Sequence, residues 1–241
     1  MSDGPGYLNE AQIAALKQNA PLQDKPVFDF FTRIIDILLS LIFILLTSPI
    51  LIVVAIAVKA TDGGPIFYSQ DRTGLKGKPF KLIKFRSMIV GADKIGAKFR
   101  SYTNDERFTR IGKFIREYHI DELPQFFNIL KGDMSIVGPR PALTFHIDYY
   151  EPWELVRARV RPGLTGLSQV SGGNALSWDE RIVVDVYYVR HRNFYNYISI
   201  IWRTFTQLFY KKGIHGRDGI VKGWTRGLPA GYMDETMKNK N

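Results

Sequence analysis

The stretch HIDELPQFFNILKGDMSIVGPRP, residues 119–141, is the part of the sequence around which the chain is organised. Asp121 and Glu122 stand side by side before a proline, and neighbouring side chains diverge, so one carboxylate can bind a metal while the other faces a substrate. A helix-like apolar run follows, and a stiff Gly-Pro-Arg-Pro turn ends the stretch. An acidic pair at a helix start is also typical of a solvated surface, where the helix dipole favours carboxylates. The pair alone leaves both interpretations open.

The composition indicates a folded protein with an anionic partner. Of the 241 residues, 45% are hydrophobic and 13% aromatic, enough to bury a core in one domain or two small ones. The 33 Lys and Arg outnumber the 23 Asp and Glu, and the net charge of +10 favours phosphorylated substrates, acidic lipid headgroups or nucleic acid as partners. The absence of cysteine excludes disulfides, thiolate nucleophiles and cysteine metal sites.

Residues 37–58 carry no charge, and their length is about that needed to cross a hydrocarbon core of ~30 Å. Pro49 has no N–H for the carbonyl of Leu45, so a kink is expected at Ser48-Pro49, where the serine hydroxyl can bond the freed carbonyl. Two interpretations remain: a mildly kinked spanning helix, or a sharp bend that returns both ends to one face. The basic residues between 59 and 86 put the C-terminal side in the cytoplasm in either case.

The rest of the pattern predicts a basic hairpin and several helices. Strands are expected at 66–70 and 80–88, joined by a basic, Gly-rich loop at 71–78. Residues 159–169 are interpreted as a Gly/Pro loop whose N–H groups and flanking arginines can meet phosphate oxygens, although a plain connecting loop has the same composition. Helices are expected at 10–18, 91–101, 113–118, 153–160, 178–192 and 194–210.

Six motifs, in order, resemble the bacterial sugar transferases, also called monotopic phosphoglycosyl transferases. They cover roughly residues 30–195 and comprise Ser48-Pro49, Lys84-Phe85-Arg86-Ser87-Met88, Asp121-Glu122-Leu123-Pro124-Gln125, Lys131-Gly132-Asp133-Met134-Ser135, Val137-Gly138-Pro139-Arg140-Pro141 and Arg161-Pro162-Gly163-Leu164-Thr165-Gly166. The resemblance implies an α+β, mainly helical fold with a re-entrant membrane helix bent at Ser48-Pro49, a cytosolic catalytic domain with a small β-hairpin or sheet, and interfacial amphipathic helices. The expected divisions are an arm at 1–29, the membrane helix at 30–60, the catalytic domain at 61–212 and a tail at 213–241.

The resemblance also implies an activity. Such enzymes transfer a sugar 1-phosphate from a UDP-sugar to polyprenyl (undecaprenyl) phosphate at the cytoplasmic face of the bacterial inner membrane, as the first membrane step of exopolysaccharide or glycoconjugate assembly, with Mg²⁺ as cofactor. Asp121 and Glu122 correspond to the catalytic pair, Asp121 as the nucleophile of a covalent intermediate and Glu122 as a metal ligand. The expected substrate-binding residues are Lys84, Arg86, Ser87, Arg140, Arg161, Asp185 and Tyr188.

Two rival hypotheses stay open at this point. One is a non-enzymatic membrane adaptor whose basic cytosolic domain binds nucleic acid or an acidic partner; the enzyme hypothesis expects no nucleic acid. The other is single-step transfer, with Asp121 as a metal ligand or base. The sequence leaves open which sugar is used and whether the chain forms a homodimer.

Overall fold

A computed structural model describes residues 8–18, 21–92 and 105–210 of the chain. Helices predominate in these ranges and the strands form two separate two-stranded sheets, which confirms the expected α+β, mainly helical class. The α-helices are α1 (Glu10–Lys17), α2 (Pro26–Asp62), α3 (Arg110–Glu117), α4 (Gln125–Lys131), α5 (Leu167–Ser171), α6 (Trp178–His191) and α7 (Phe194–Tyr210). The strands are β1 (Phe67–Thr73), β2 (Pro79–Phe85), β3 (Ser135–Val137) and β4 (Gly163–Thr165).

The arm contains α1, and the start of this helix follows the sequence prediction. The Asn9 side chain accepts a hydrogen bond from Gln12 N at 2.8 Å, and the Gln12 side chain accepts one from Asn9 N at 2.9 Å, which forms a capping box. Leu16 is buried in the main core, and Arg190 on α6 donates to the Leu16 and Gln18 carbonyls at the helix end. The helix is therefore anchored to the body of the protein.

The long helix α2 continues through Pro49 for 37 residues. Ser48 Oγ donates to the carbonyl of Leu45 at 2.8 Å, so the acceptor that proline leaves free is satisfied as predicted. In the part of the chain that the structure describes, α2 is the one helix long and apolar enough to cross a membrane. Leu45 and Leu46 are 75% and 69% exposed, whereas a core helix of a soluble protein would bury such side chains. The chain therefore associates with a membrane through α2.

Both halves of α2 contact the body of the protein. In the first half, the Asp36 carboxylate accepts hydrogen bonds from Ile136 N at 2.8 Å and Tyr197 Oη at 2.6 Å. In the second half, Val54 and Val58 are buried in a small cluster with residues of β2 and α3. These contacts fix the segments that follow α2 relative to both halves of the apolar helix.

The predicted hairpin is present as an antiparallel pair of β1 and β2. Strand β1 extends beyond the prediction, because residues 71–73 continue it where a loop was expected, whereas β2 ends at Phe85, three residues before its predicted end. Asp71 lies opposite Lys81 in the ladder and pairs with it at 2.8 Å, which explains why these charged residues lie in a strand. The remaining connection contains a short 3-10 helix, Leu75–Gly77.

A second, parallel strand pair forms where the sequence predicted only a loop. Ser135 lies opposite Gly163 and Val137 opposite Thr165, and α5 begins at Leu167, so the loop prediction for 159–169 was wrong over this part. A Cβ at Gly163 would overlap the backbone of Gly138, so glycine permits the close approach of the two segments.

The other helix predictions have mixed outcomes. Helices α3, α6 and α7 confirm three of the predicted helices with small changes at their ends. The segment predicted at 153–160 is a 3-10 helix, Glu154–Arg159. The helix predicted at 91–101 falls outside the described residues, apart from its first two positions. The predicted tail after residue 212 also falls outside them.

Candidate active site

The acidic pair lies on a single 3-10 turn, Ile120–Glu122, between α3 and α4. The Thr109 side chain caps the start of α3 by accepting a hydrogen bond from Gly112 N at 2.8 Å. At the far end of α3 His119 adopts a left-handed conformation with φ 56°, which turns the chain into the 3-10 helix. The pair is therefore placed by two helices and one sharp reversal of the backbone.

Glu122 binds two cationic side chains from distant parts of the sequence. Lys84 Nζ on β2 lies 2.7 Å from Glu122 Oε1, and Arg140 Nη2 lies 2.8 Å from the same oxygen. Burial alone would raise the pKa of Glu122, but the charges of Arg140 and Lys84 hold it well below its usual value. Glu122 is therefore ionised throughout the physiological pH range.

Asp121 lies in a different environment from its neighbour. Its side chain is 5% exposed, and among the described residues none donates a hydrogen bond to its carboxylate. Burial raises the pKa of Asp121 and the charge of Glu122 adds to the rise, while Lys84 opposes it. A carboxylate without hydrogen-bond donors keeps its lone pairs available, as a nucleophile requires.

Asn128 connects the hairpin to the helix that follows the acidic pair. Its side-chain oxygen accepts from Ile83 N at 3.0 Å, and its amide nitrogen donates to the Lys81 carbonyl at 2.8 Å. The amide thus takes the place of a neighbouring strand along the free edge of β2. Ile83 directly precedes Lys84, so this contact holds Lys84 beside the acidic pair. Sequence reasoning did not single out Asn128.

Arg86 and Ser87, also expected to bind substrate, follow Lys84 on the same segment but contact residues other than the acidic pair. The Arg86 guanidinium forms a two-pronged pair with Asp62 at 2.5 and 2.6 Å, and it donates to the Pro65 carbonyl. Arg86 thereby ties the C-terminal end of α2 to β2. The Ser87 carbonyl accepts from Thr109 N at 3.2 Å, which connects this segment to the start of α3.

Three further expected residues have partners other than the acidic pair. Arg161 Nε donates to the Gly132 carbonyl at 2.9 Å, just after α4. Tyr188 is 3% exposed within the main core, where burial raises its pKa. Asp185 is 1% exposed and pairs with Arg157 at 2.5 Å. Of the seven expected binding residues, the structure brings Lys84 and Arg140 directly onto the acidic pair.

Two arginines that sequence reasoning missed lie near Arg140. Burial lowers the pKa of Arg181 to about 10; the charges of Arg140 and Arg157 add to the shift, and Asp185 opposes it. Arg181 precedes Asp185 by four residues on α6, so the two side chains share one helix face. This spacing was the available signal. The surplus of positive charge suits a polyanionic ligand such as a diphosphate.

The acidic pair is a suitable donor set for a magnesium ion shared with a substrate. Within 8–18, 21–92 and 105–210, no group of three or more His, Asp or Glu side chains is arranged to hold a metal ion by itself. Mg²⁺ is commonly bound by one or two carboxylates together with substrate phosphates, so two carboxylates are enough. Because Lys84 and Arg140 share Oε1 of Glu122, its other oxygen and the Asp121 carboxylate are the candidate donors.

This chain belongs to the bacterial sugar transferase family, whose model matches residues 27–211, and the resemblance inferred from the six motifs is confirmed. It is similar to UDP-glucose:undecaprenyl-phosphate glucose-1-phosphate transferases of Klebsiella pneumoniae (40% identity, 81% of this chain and 44% of the relative) and Caulobacter vibrioides (37%, 86% and 83%). It is also similar to the UDP-N-acetylgalactosamine-undecaprenyl-phosphate N-acetylgalactosaminephosphotransferase of Aeromonas hydrophila (38%, 82% and 47%). The chain thus spans about half the length of the Klebsiella and Aeromonas proteins.

Proposed function

We propose that this chain transfers a sugar 1-phosphate from a UDP-sugar to undecaprenyl phosphate, releasing UMP. The carrying observation is Asp121, buried without a hydrogen-bond donor among the described residues, beside a Glu122 that two cations hold ionised. A relative of similar length, from Caulobacter vibrioides, bears the name of a UDP-glucose:undecaprenyl-phosphate glucose-1-phosphate transferase. The reaction would be the first membrane step of exopolysaccharide or glycoconjugate assembly.

In the first step, a carboxylate oxygen of Asp121 attacks the sugar-proximal phosphorus of the UDP-sugar. A new P–O bond forms to the carboxylate, the bond to the bridging oxygen breaks, and UMP leaves with that oxygen. A sugar-phosphoryl aspartate remains on the protein. The step divides one difficult transfer into two easier ones. The raised pKa of Asp121 supports this role, because a desolvated carboxylate is a more reactive nucleophile than a solvated one.

The obstacle to this step is charge repulsion between a carboxylate and a diphosphate. Lys84 and Arg140 supply two positive charges within hydrogen-bond distance of Glu122, so phosphate oxygens that enter beside Glu122 can share these donors. Arg140 offers a planar, two-pronged group and Lys84 a point charge. Glu122, with phosphate oxygens of the substrate, would hold Mg²⁺, which supplies further neutralisation of phosphate charge when bound.

In the second step, a phosphate oxygen of the lipid acceptor attacks the phosphorus of the aspartyl intermediate. The P–O bond to Asp121 breaks, and the free carboxylate is restored with an undecaprenyl diphosphate sugar as product. The cations that stabilised the first transition state are placed equally well for the second, because the charge lies on the oxygens of the same phosphoryl group.

We also propose that α2 re-enters the cytoplasmic leaflet of the inner membrane and does not cross it. Support comes from the contacts of both its halves with the same body: Asp36 binds Ile136 N, and Val58 packs in the cluster of β2 and α3. A helix that crossed the bilayer would carry one of these halves to the far side, away from its partners. Pro49 lies between the halves, where a bend is expected.

Helix α7 supports the same placement at the membrane surface. Tyr195, Ile198 and Trp202 are 81%, 52% and 70% exposed, and their spacing puts them on one helix face. Phe205 continues this face and stacks on Phe43 of α2 at 5.9 Å, so the exposed apolar surfaces of the two helices adjoin. Trp and Tyr are favoured at the membrane interface. The acidic pair would then lie at headgroup depth, where the lipid phosphate is.

The proposed activity is tested by UMP release from detergent-purified protein with undecaprenyl phosphate, Mg²⁺ and a panel of UDP-sugars, for wild type and Asp121→Asn. Release by wild type alone is expected, and the productive sugar would be identified in the same experiment. The panel must include glucose and N-acetylgalactosamine, because relatives of similar identity are named for each. No release with any sugar would contradict the proposal and favour the adaptor hypothesis.

A further inference from the structure

The Gly138–Pro141 turn is held mainly through its carbonyl groups. Pro139 and Pro141 have no N–H to donate, so hydrogen bonds can fix their peptides through oxygen alone. Successive carbonyls of this segment accept from different elements: Pro139 O from Gly163 N at 2.9 Å, Pro141 O from Arg72 Nη1 at 3.1 Å and Ala142 O from Thr73 N at 2.9 Å. The carbonyl of Arg140 itself accepts from Arg157 Nη2 at 3.1 Å.

Arg157 is held firmly by its own partners. It is 6% exposed, its Nη1 donates to Tyr150 Oη at 2.5 Å, and its Nη2 donates to Asp185 Oδ2 at 2.5 Å. Burial works against the charged form, but Tyr150 and Asp185 keep the pKa of Arg157 above its usual value. A buried guanidinium paired in this way has few alternative positions, so it is a rigid support for the group it contacts.

The side chain of Arg140 needs such a support. It is 47% exposed and reaches Glu122 from a surface turn, so surrounding side chains do little to fix its direction. The direction is therefore set by the backbone of residue 140, which the flanking prolines stiffen and the Arg157 hydrogen bond anchors. Small displacements of a catalytic group can cost about 10²-fold in rate.

We propose that Arg157, oriented by Asp185, is a positioning residue that holds Arg140 in reach of Glu122 and of the substrate diphosphate. The inference rests on the proposed function, because it requires Arg140 to contact the substrate. It also assigns Asp185 a role: its carboxylate acts through Arg157, two hydrogen bonds from Arg140, and not by touching the substrate.

The test is a double-mutant cycle on UMP release by the full chain in detergent, with R157K, R140A and the double variant. Lysine keeps the positive charge but carries its donors on a single nitrogen, whereas Arg157 uses two nitrogens to reach Tyr150, Asp185 and the Arg140 carbonyl. We expect R157K to lower kcat/KM by about 10²-fold in the wild-type background. In the R140A background the same change should lower kcat/KM by less than about threefold, because the side chain that Arg157 positions is already absent. D185N should repeat this pattern.

A purely structural role would give equal effects in both backgrounds, and that additivity would overturn the inference. R192K is the matched control, because Arg192 is also buried and donates to a backbone carbonyl, that of Val189, at 2.8 Å. We expect the kcat/KM of R192K to stay within about twofold of wild type. If R157K fails to fold, Y150F removes one acceptor and leaves the Arg157–Asp185 pair intact, and its effect should likewise vanish in R140A. Wild-type activity of R140A would remove Arg140 from the proposed site and overturn the inference with it.

Discussion

The guanidinium of Arg140 lies 2.8 Å from Glu122 Oε1, across 18 residues of sequence. The contact joins the Gly-Pro-Arg-Pro turn to the acidic pair, and Lys84 reaches the same oxygen from β2. Three separate motifs thus converge on one carboxylate. In the proposed mechanism, Glu122 holds both cations where the phosphate oxygens of a nucleotide sugar would need them, and Asp121 beside them is the attacking group.

The pH dependence of the rate should report Asp121. The nucleophile must be ionised, so the rate should fall as the pH decreases through the pKa of Asp121. Because that pKa is raised, this acid limb should lie at a higher pH than an ordinary aspartate would give. The charge of Lys84 lowers the pKa of Asp121, so Lys84→Gln should move this acid limb to still higher pH, in addition to lowering the rate. The measurement is kcat/KM for UMP release against pH.

Lys81→Gln is the control for this profile, because Lys81 lies on the same strand but pairs with the exposed Asp71. Its acid limb should coincide with that of wild type. An acid limb that stays unchanged in Lys84→Gln would contradict the assignment to Asp121.

Asp121→Asn should stabilise the protein while it abolishes the activity. Because burial raises the pKa of Asp121, its ionised form costs folding free energy at any pH above that raised pKa. The amide removes this cost, so the melting temperature should rise at neutral pH. The gain should shrink as the pH falls through the raised pKa, where wild-type Asp121 is protonated as well.

Thermal unfolding at several pH values measures this effect, with Asp148→Asn as the control because Asp148 is exposed. Lower stability of Asp121→Asn than of wild type at neutral pH would show that the carboxylate is not a strained, desolvated group.

Much of the site could be predicted from the sequence because its central residues are local in the chain. The acidic pair, the break at Gly132 and the Gly-Pro-Arg-Pro turn are each fixed by adjacent residues, and Gly132 does adopt the left-handed conformation at the end of α4. The partners of Arg86 could not be predicted in this way. Asp62 lies 24 residues earlier, at the end of a helix, and only the fold brings the two together.

Arg157 and Arg159 illustrate a second limit. They are two residues apart in a basic segment, yet Arg157 is buried against Asp185 and Arg159 is exposed. Burial depends on how the 3-10 helix meets α6, which neither residue type nor spacing encodes. The β3–β4 pairing was missed for a similar reason, because three-residue strands joined across a long connection have no periodic signal.

Gly112→Ala should disturb the placement of the acidic pair. A Cβ at this position would overlap the carbonyl oxygen of Ser87, and a backbone group cannot rotate away as a flexible side chain can. We expect a loss of roughly 1–3 kcal/mol in stability, together with reduced UMP release. Chemical denaturation and the activity assay measure the two effects.

Gly91→Ala is the comparison for this variant, since a Cβ there meets nothing within 4 Å, although φ of +79° adds local strain. It should retain the wild-type rate more nearly than Gly112→Ala. Equal, small effects of the two substitutions would mean that α3 does not need its close approach to the Ser87 segment.

The topology of α2 can be measured cleanly because the chain contains no cysteine. We expect cysteines at Asp24 and Lys113, which are both exposed and lie before and after α2, to react with a membrane-impermeant thiol reagent from the cytoplasmic side only. Pro49→Ala restores an N–H for the Leu45 carbonyl and should weaken the bend. Reaction of the Asp24 cysteine from the periplasmic side in the otherwise unchanged chain would show that α2 crosses the membrane.

The covalent intermediate tests the central claim most directly. The full chain, purified in detergent, is incubated with Mg²⁺ and the productive UDP-sugar without a lipid acceptor, and peptides are analysed by mass spectrometry. The account predicts a burst of UMP and a sugar-phosphate adduct on Asp121, absent in Asp121→Asn and discharged when undecaprenyl phosphate is added. UMP release that requires the lipid, with no adduct in an otherwise active preparation, would contradict it and favour single-step transfer.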